Sequence, residues 1–505
     1  MGTRTTPLVK AVLLSLMMAA GLAACRDRGD ETDIAESPAV EGVIIPQRLA
    51  YAEFPVDSAT ILRWVQATDT VSIRRHAWNI WVGLTAMTNQ VANGDTLPVY
   101  ETWLSRYEVY NVGIPLADRR AFATRGRPVD RGFHSPVQFH HPASVGLTGT
   151  SAGQDERVIA GVKYNMASAG HVWRYNYTDS TTLDSLNNAW PTSTPIADRN
   201  IVPFPDSAIA TKPVYWIVNQ TGLTVMPYWA GVDSSTNPGQ PTDTTWTQFV
   251  AIDPTGQQVG DTVQVQEHGR TYPARVIGLD QFYSFPLTQD EVNDITNPTN
   301  NPALDTEIAN DSIDVYADGR QSQQPVSVGD YAVLTAMHVS TKEIGNWTWQ
   351  TFWWTPDYRN NPLASDQPAG VQGPFKNFAM QQAYYMVIPS GPSQGQNQVT
   401  FNPYLETGLT PPDSGIASNC MSCHRMATWT FSNYHFYGNI QPGDSALFAG
   451  FTKLDFLWSV QVGASTAQAS LLRRSRAGSS APPAGQTTGT PPGTPAPAPP
   501  GGTRR

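Results

Sequence analysis

The sequence predicts an α+β fold, rich in strands, with a large mixed body and a chemically distinct segment late in the chain. Three observations predict it. From Ala208 onward, short runs of β-branched and aromatic residues alternate with Gly, Pro, Asn and Asp clusters, the pattern of strands and turns. Apolar residues at helical spacing are concentrated in an early stretch, 58–84. Charged residues are only 15% of the chain, while 15 Trp, 19 Tyr and 17 Phe supply bulky core side chains.

The N-terminal stretch, residues 1–24, reads as an export signal: a basic start (Arg4, Lys10), then an apolar run from Ala11 to Leu22. That run is too short to persist as a membrane span. Leu22-Ala23-Ala24-Cys25 resembles the bacterial lipobox, which implies lipid attachment at Cys25. A plain secretory signal is the simpler alternative. Arg26, rather than Asp, follows the cysteine and favours the outer membrane, with the protein facing the periplasm. Residues 25–50 are charged and poor in apolar side chains, as a flexible tether should be.

A body is expected over 51–326. Its first helices are marked by Ile61, Leu62 and Val65, then Ile73, Ala77, Ile80, Trp81 and Leu84. His76 lies beside that stripe, where a core-edge histidine satisfied by its neighbours is the plainer reading and an iron ligand the sharper one. Pro98–Trp103 predicts a strand, and 111–156 predicts loops. Those loops hold His134 and His140-His141, without the carboxylates or thiols that would complete a metal site. Gly149-Thr150-Ser151-Ala152-Gly153 matches G-x-S-x-G but lacks the flanking strand and helix of a nucleophile elbow. Strands follow at Ile209–Val218, Leu223–Trp229, Thr247–Ile252 and Thr271–Tyr283, with a short helix at Asp290–Ile295. Asp314–Gly319 has the outline of a calcium loop, but Tyr316 and Pro325 occupy positions where ligands are needed.

Residues 327–465 form the distinct segment. It opens with a strand at Tyr331–His338 and a tryptophan-rich strand at Trp347–Trp354, and ends with an apolar stretch, Leu447–Val460. The chain from 466 to 505 is rich in Ala, Pro, Gly, Ser and Thr and predicts a disordered tail.

The chemistry concentrates at Cys420-Met421-Ser422-Cys423-His424, the CxxCH pattern of haem c attachment. Two thiols at this spacing reach the two vinyl groups on one porphyrin edge, and the next residue sets an imidazole under the iron. A zinc or redox CxxC is the alternative. Zinc would need a second ligand pair, and the chain's only other cysteine is Cys25. One covalent haem c is therefore expected, with His424 as the proximal iron ligand. For the distal side His338 ranks first and His435 second, and an open sixth position is the rival. Met337, Met380 and Met386 read as apolar filler. Met426 is the only methionine after Cys423 and sits too near to reach the other side of the ring.

Taken with CMSCH, the pattern His338-x3-Lys342, Trp347-x-Trp349-x-Thr351-Phe352 and Leu454-Asp455-Phe456-Leu457-Trp458 resembles a group of bacterial periplasmic cytochrome c-like proteins. The likeness spans about residues 327–462. It implies a monohaem c-type lipoprotein with its haem motif near the C-terminus, and it carries no assigned reaction. Small carrier cytochromes c differ, with an early motif and a distant downstream methionine ligand.

The expected function is electron transfer through the haem to a partner redox protein. The alternatives are a haem enzyme or sensor with an open sixth site, peroxidase-like or gas-binding, and a ligand-binding protein with an accessory haem. Between the signal and the tail, 25 basic residues face 42 acidic ones. That balance argues against nucleic acid or an anionic membrane surface and suits a basic partner.

Overall fold

The computed structural model describes residues 41–465 apart from 112, 134–145, 148–157, 230–246, 268–269, 297–325, 407–416, 430–434 and 436. Cys25 with its lipobox, His134, His140-His141, the G-x-S-x-G stretch and Asp314–Gly319 lie outside the described residues. The fold is α+β, as expected.

The two early helices form as their periodicity predicts, over Ser58–Ala67 and Thr70–Thr85. Each starts at an aspartate whose carboxylate accepts an otherwise orphaned backbone N–H, Asp57 from Thr60 and Asp69 from Ser72. A hairpin follows, β1 (Met87–Ala92) and β2 (Asp95–Pro98), turning at Asn93 and Gly94, both at positive φ. The strand expected at Pro98–Trp103 is instead a 3-10 turn over Val99–Thr102. The Thr102 hydroxyl donates to the Val99 carbonyl, closing the turn locally.

The remaining strands are β3 (Leu104–Ser105), β4 (Gly146–Leu147), β5 (Val158–Ala160), β6 (Lys163–Tyr164), β7 (Ile209–Val218), β8 (Thr224–Pro227), β9 (Phe249–Asp253), β10 (Thr262–Glu267), β11 (Arg270–Gly278), β12 (Ser284–Pro286), β13 (Tyr331–Thr341), β14 (Thr348–Trp354), β15 (Phe378–Ala383), β16 (Thr428–Trp429) and β17 (Thr452–Lys453). Eight of them build one antiparallel sheet in the order β15-β14-β13-β7-β6-β3, with β12 also on β13 and β5 also on β7. A five-stranded sheet, β4-β10-β11-β9-β8, stands beside it with a smaller core. The long sheet takes strands from both sides of residue 327, because β13 pairs with β7 along nearly its whole length. The late segment and the body therefore share a core rather than folding as separable units.

Alternation along β14 sorts its side chains between two faces. Phe352 points to one face, where Trp81 of the Thr70–Thr85 helix stacks on it at 4.2 Å and Trp78 lies at 5.6 Å. Its register partners Met337 and Met380 share that face. Trp349, Thr351 and Trp353 point the other way, and Trp229 packs against Trp353 at 5.8 Å. The second face receives the chain that carries the CxxCH motif.

Candidate haem-attachment site

The motif forms a short helix, Cys420–Arg425, because Asn419 caps it. The buried Asn419 Oδ1 accepts from Met421 N at 2.9 Å and Ser422 N at 3.2 Å, while its Nδ2 donates to the carbonyls of Gln398 (2.7 Å) and Tyr385 (3.2 Å). One side chain thus starts the helix and ties it to two neighbouring segments. Residues three and four apart share a helix face, so Cys420, Cys423 and His424 project together. Ser422 falls on the opposite side, where its hydroxyl donates to the Gly438 carbonyl at 3.0 Å.

Burial pushes the Cys420 thiol well above its usual value, and the Glu406 carboxylate and Cys423 add to the shift. A group held as a thiol suits addition across a vinyl double bond. Among the described residues, no cluster of three or more His, Cys, Asp or Glu is arranged to hold a bare metal ion.

His424 is oriented on two sides. Its Nδ1 pairs with the Phe456 carbonyl at 2.9 Å, and the Trp349 ring lies 4.1 Å from its own, tilted by 35°. Burial lowers its pKa to about 3, against the opposing pull of the Phe456 carbonyl; His338 and Lys212 lower it further. The imidazole is therefore neutral at physiological pH, with its proton on Nδ1 and the Nε2 lone pair left for iron. These thiols and this nitrogen fit a covalently attached haem.

The carbonyl that orients His424 comes from a strained turn. Asp455 and Phe456 both take positive φ, 48° and 71°, at a cost of roughly 1–3 kcal/mol each. Asp455 is held by Lys342 Nζ at 2.6 Å and by Phe204 N at 2.8 Å. Arg425 lies over the Phe456 ring, 4.4 Å from its centre, and donates to Asn346 Oδ1 at 2.7 Å. Its Nε is buried with no partner among the described residues. Trp349 and Phe456, widely separated in sequence, thus meet at His424, and Lys342 acts through Asp455, the neighbour of Phe456. The apolar stretch Leu447–Val460 is not one element: it runs through β17 and this turn into a helix over 458–465. Its described contribution to the site is the Phe456 carbonyl.

His338 lies on the same face of the sheet as the motif. It is the register partner of Thr351 on β14 and Lys212 on β7, and Trp349 is two residues from Thr351. His338 is partly exposed, and its Nε2 meets Glu406 Oε1 at 2.8 Å. The other Glu406 oxygen accepts from Asn402 N. Asn402 is itself pinned to the sheet, its Nδ2 donating to Thr351 Oγ1 at 2.7 Å and to the Phe352 carbonyl at 3.0 Å. Sequence reasoning missed Glu406. Its available signal was a capping asparagine at 402, a proline at 403 and an acidic residue closing the turn.

The other candidates sit elsewhere. His435 lies beside Gly438, the residue bonded by Ser422, on the side of the motif helix turned away from the cysteines. His76 is buried across the sheet from the motif, paired with Tyr384 Oη at 2.5 Å and Glu343 Oε1 at 3.2 Å. Met337 and Met380 share that far face, and Met386 Sδ accepts from Ile440 N. No known protein family matches the chain, and no curated protein or solved structure is significantly similar to it.

Proposed function

We propose that the chain is a c-type haem protein of the cell envelope, tethered to the outer membrane by a lipid on Cys25, which transfers electrons through one covalently attached haem. The observation that carries this reading is the capped Cys420–Arg425 helix, which projects two thiols and the His424 ring, oriented by the Phe456 carbonyl, from one side. A bound haem supplies an iron that cycles between Fe(III) and Fe(II). The protein's own residues set the conditions for that cycle. Phe456 and Trp349 fix the His424 plane. The excess of acidic residues suits a basic redox partner.

Acid–acetone extraction tests the attachment. Haem should remain on the polypeptide in the native protein, remain in part when Cys420 or Cys423 is replaced by Ser, and be lost when both are replaced. Haem extracted completely from the native protein overturns the reading. A reversible one-electron couple in a redox titration tests the electron-transfer role.

A second reading, a haem enzyme or sensor with an open sixth position, is favoured by one observation: the Nε2 of His338 is already engaged by Glu406. The ligand-binding reading has no comparable support, since β14 is buried along its length and its tryptophans serve as packing.

A further inference from the structure

Resting on the second reading above, a covalently attached haem with an open sixth position, we propose that Glu406 is a positioning residue that keeps His338 off the iron, so that the haem takes a diatomic gas. Nε2 is the outer nitrogen of the histidine ring and the one best placed to reach an iron beyond the sheet. In this structure it is the atom that Glu406 holds, at 2.8 Å. A ring nitrogen that donates its hydrogen to a carboxylate has no lone pair to give a metal.

The hold is built into the sheet. Glu406 ends the short helix Pro403–Glu406, whose entry residue Asn402 is fully buried and bonded to Thr351. Thr351 is also the direct register partner of His338. The carboxylate and the imidazole are thus located by the same rung of the ladder. The pair is only partly exposed, its side chains 20% and 15% accessible, so water competes weakly for the bond. Thr351, the rung partner of His338, lies two residues from Trp349, whose ring is 4.1 Å from that of His424, so the pair stands on the motif's side of the sheet. His338 is then a neighbour of a bound gas rather than a competing ligand.

Absorption spectra of the purified holoprotein, with and without CO, test this. The native protein should be high-spin in the ferric state and should bind CO when reduced. Glu406→Ala should free His338, turn the ferric spectrum low-spin and abolish CO binding. Glu406→Gln, which keeps an acceptor oxygen, should retain the native spectrum. Glu406→Ala combined with His338→Ala should bind CO again, which separates the effect from misfolding. A native protein that is low-spin and inert to CO, with Glu406→Ala unchanged, overturns the proposal while leaving covalent attachment intact. Haem that leaves in acid–acetone overturns the underlying reading instead.

Discussion

His76 and His338 lie on opposite faces of the same eight-stranded sheet, and each has a carboxylate against Nε2. On the sealed face His76 is buried, and both of its ring nitrogens have partners within the protein. Trp78 and Trp81 close the face beside it. On the other face His338 is partly exposed and shares a row with Lys212, Thr351 and Gln381 beside the attachment motif. Similar chemistry therefore serves two ends. Where the second nitrogen and the surroundings are satisfied, the histidine holds the fold. Where the row is polar and borders the attachment motif, the histidine stays partly exposed and has a carboxylate against its outer nitrogen.

The sharpest way to break this contrast is His76→Ala. It strips partners from a buried phenol and a buried carboxylate, so unfolding in urea should show a loss of about 3–5 kcal/mol. The haem spectrum should stay unchanged. A spectral shift as large as that of a His338 variant would remove the distinction between the faces.

A second test uses pH on the motif's side of the molecule. His171 is buried against Phe204, with its Nε2 on the Val202 carbonyl, and burial lowers its pKa from 6.5 to about 4. The fold binds this histidine neutral. The stability it contributes is therefore complete above pH 6.5 and is lost as pH falls toward 4, by about 3 kcal/mol at most. The slope of unfolding free energy against pH in this window should be shallower in His171→Asn.

Asn419→Ala should cost about 2 kcal/mol, through loss of the cap and of two bonds to neighbouring segments. It should also lower the yield of covalently attached haem, read as haem absorbance per polypeptide. The smallest stability effect belongs to His338→Ala, about 1 kcal/mol or less for a partly exposed pair. The comparison holds if that variant nevertheless alters the CO-bound spectrum, which His76→Ala leaves alone.

Much of the scaffold was legible in the sequence because its signals are local. The two aspartate-capped helices and the strands β7, β9, β13 and β14 follow from spacing and turn residues within a few positions. The misassigned strand at Pro98–Trp103 shows the limit. Its composition is strand-like, but the Thr102 hydroxyl closes a turn instead. The hairpin before it had a readable Asn93-Gly94 signal. The capping signal at Asn402 and Pro403 marked a turn ending at Glu406, but not its role, which depends on Asn402 reaching a strand some fifty residues earlier. The left-handed Phe456 was hidden for the same kind of reason: Lys342 and Phe204 hold the preceding Asp455, and nothing near it in the chain announces the turn.

The sequence by itself determined the spacing of Cys420, Cys423 and His424, since a helical turn needs no distant partner to bring i, i+3 and i+4 to one side. It also marked His338 as a residue of the late segment. Only the tertiary structure decided what surrounds these groups. The register of β13 against β14 sets the face on which His338 stands, and a carbonyl from a strained turn sets which nitrogen of His424 is available. A carboxylate fixed to the same rung holds the outer nitrogen of His338. Such long-range placements come from strand pairing and packing, and no local pattern encodes them.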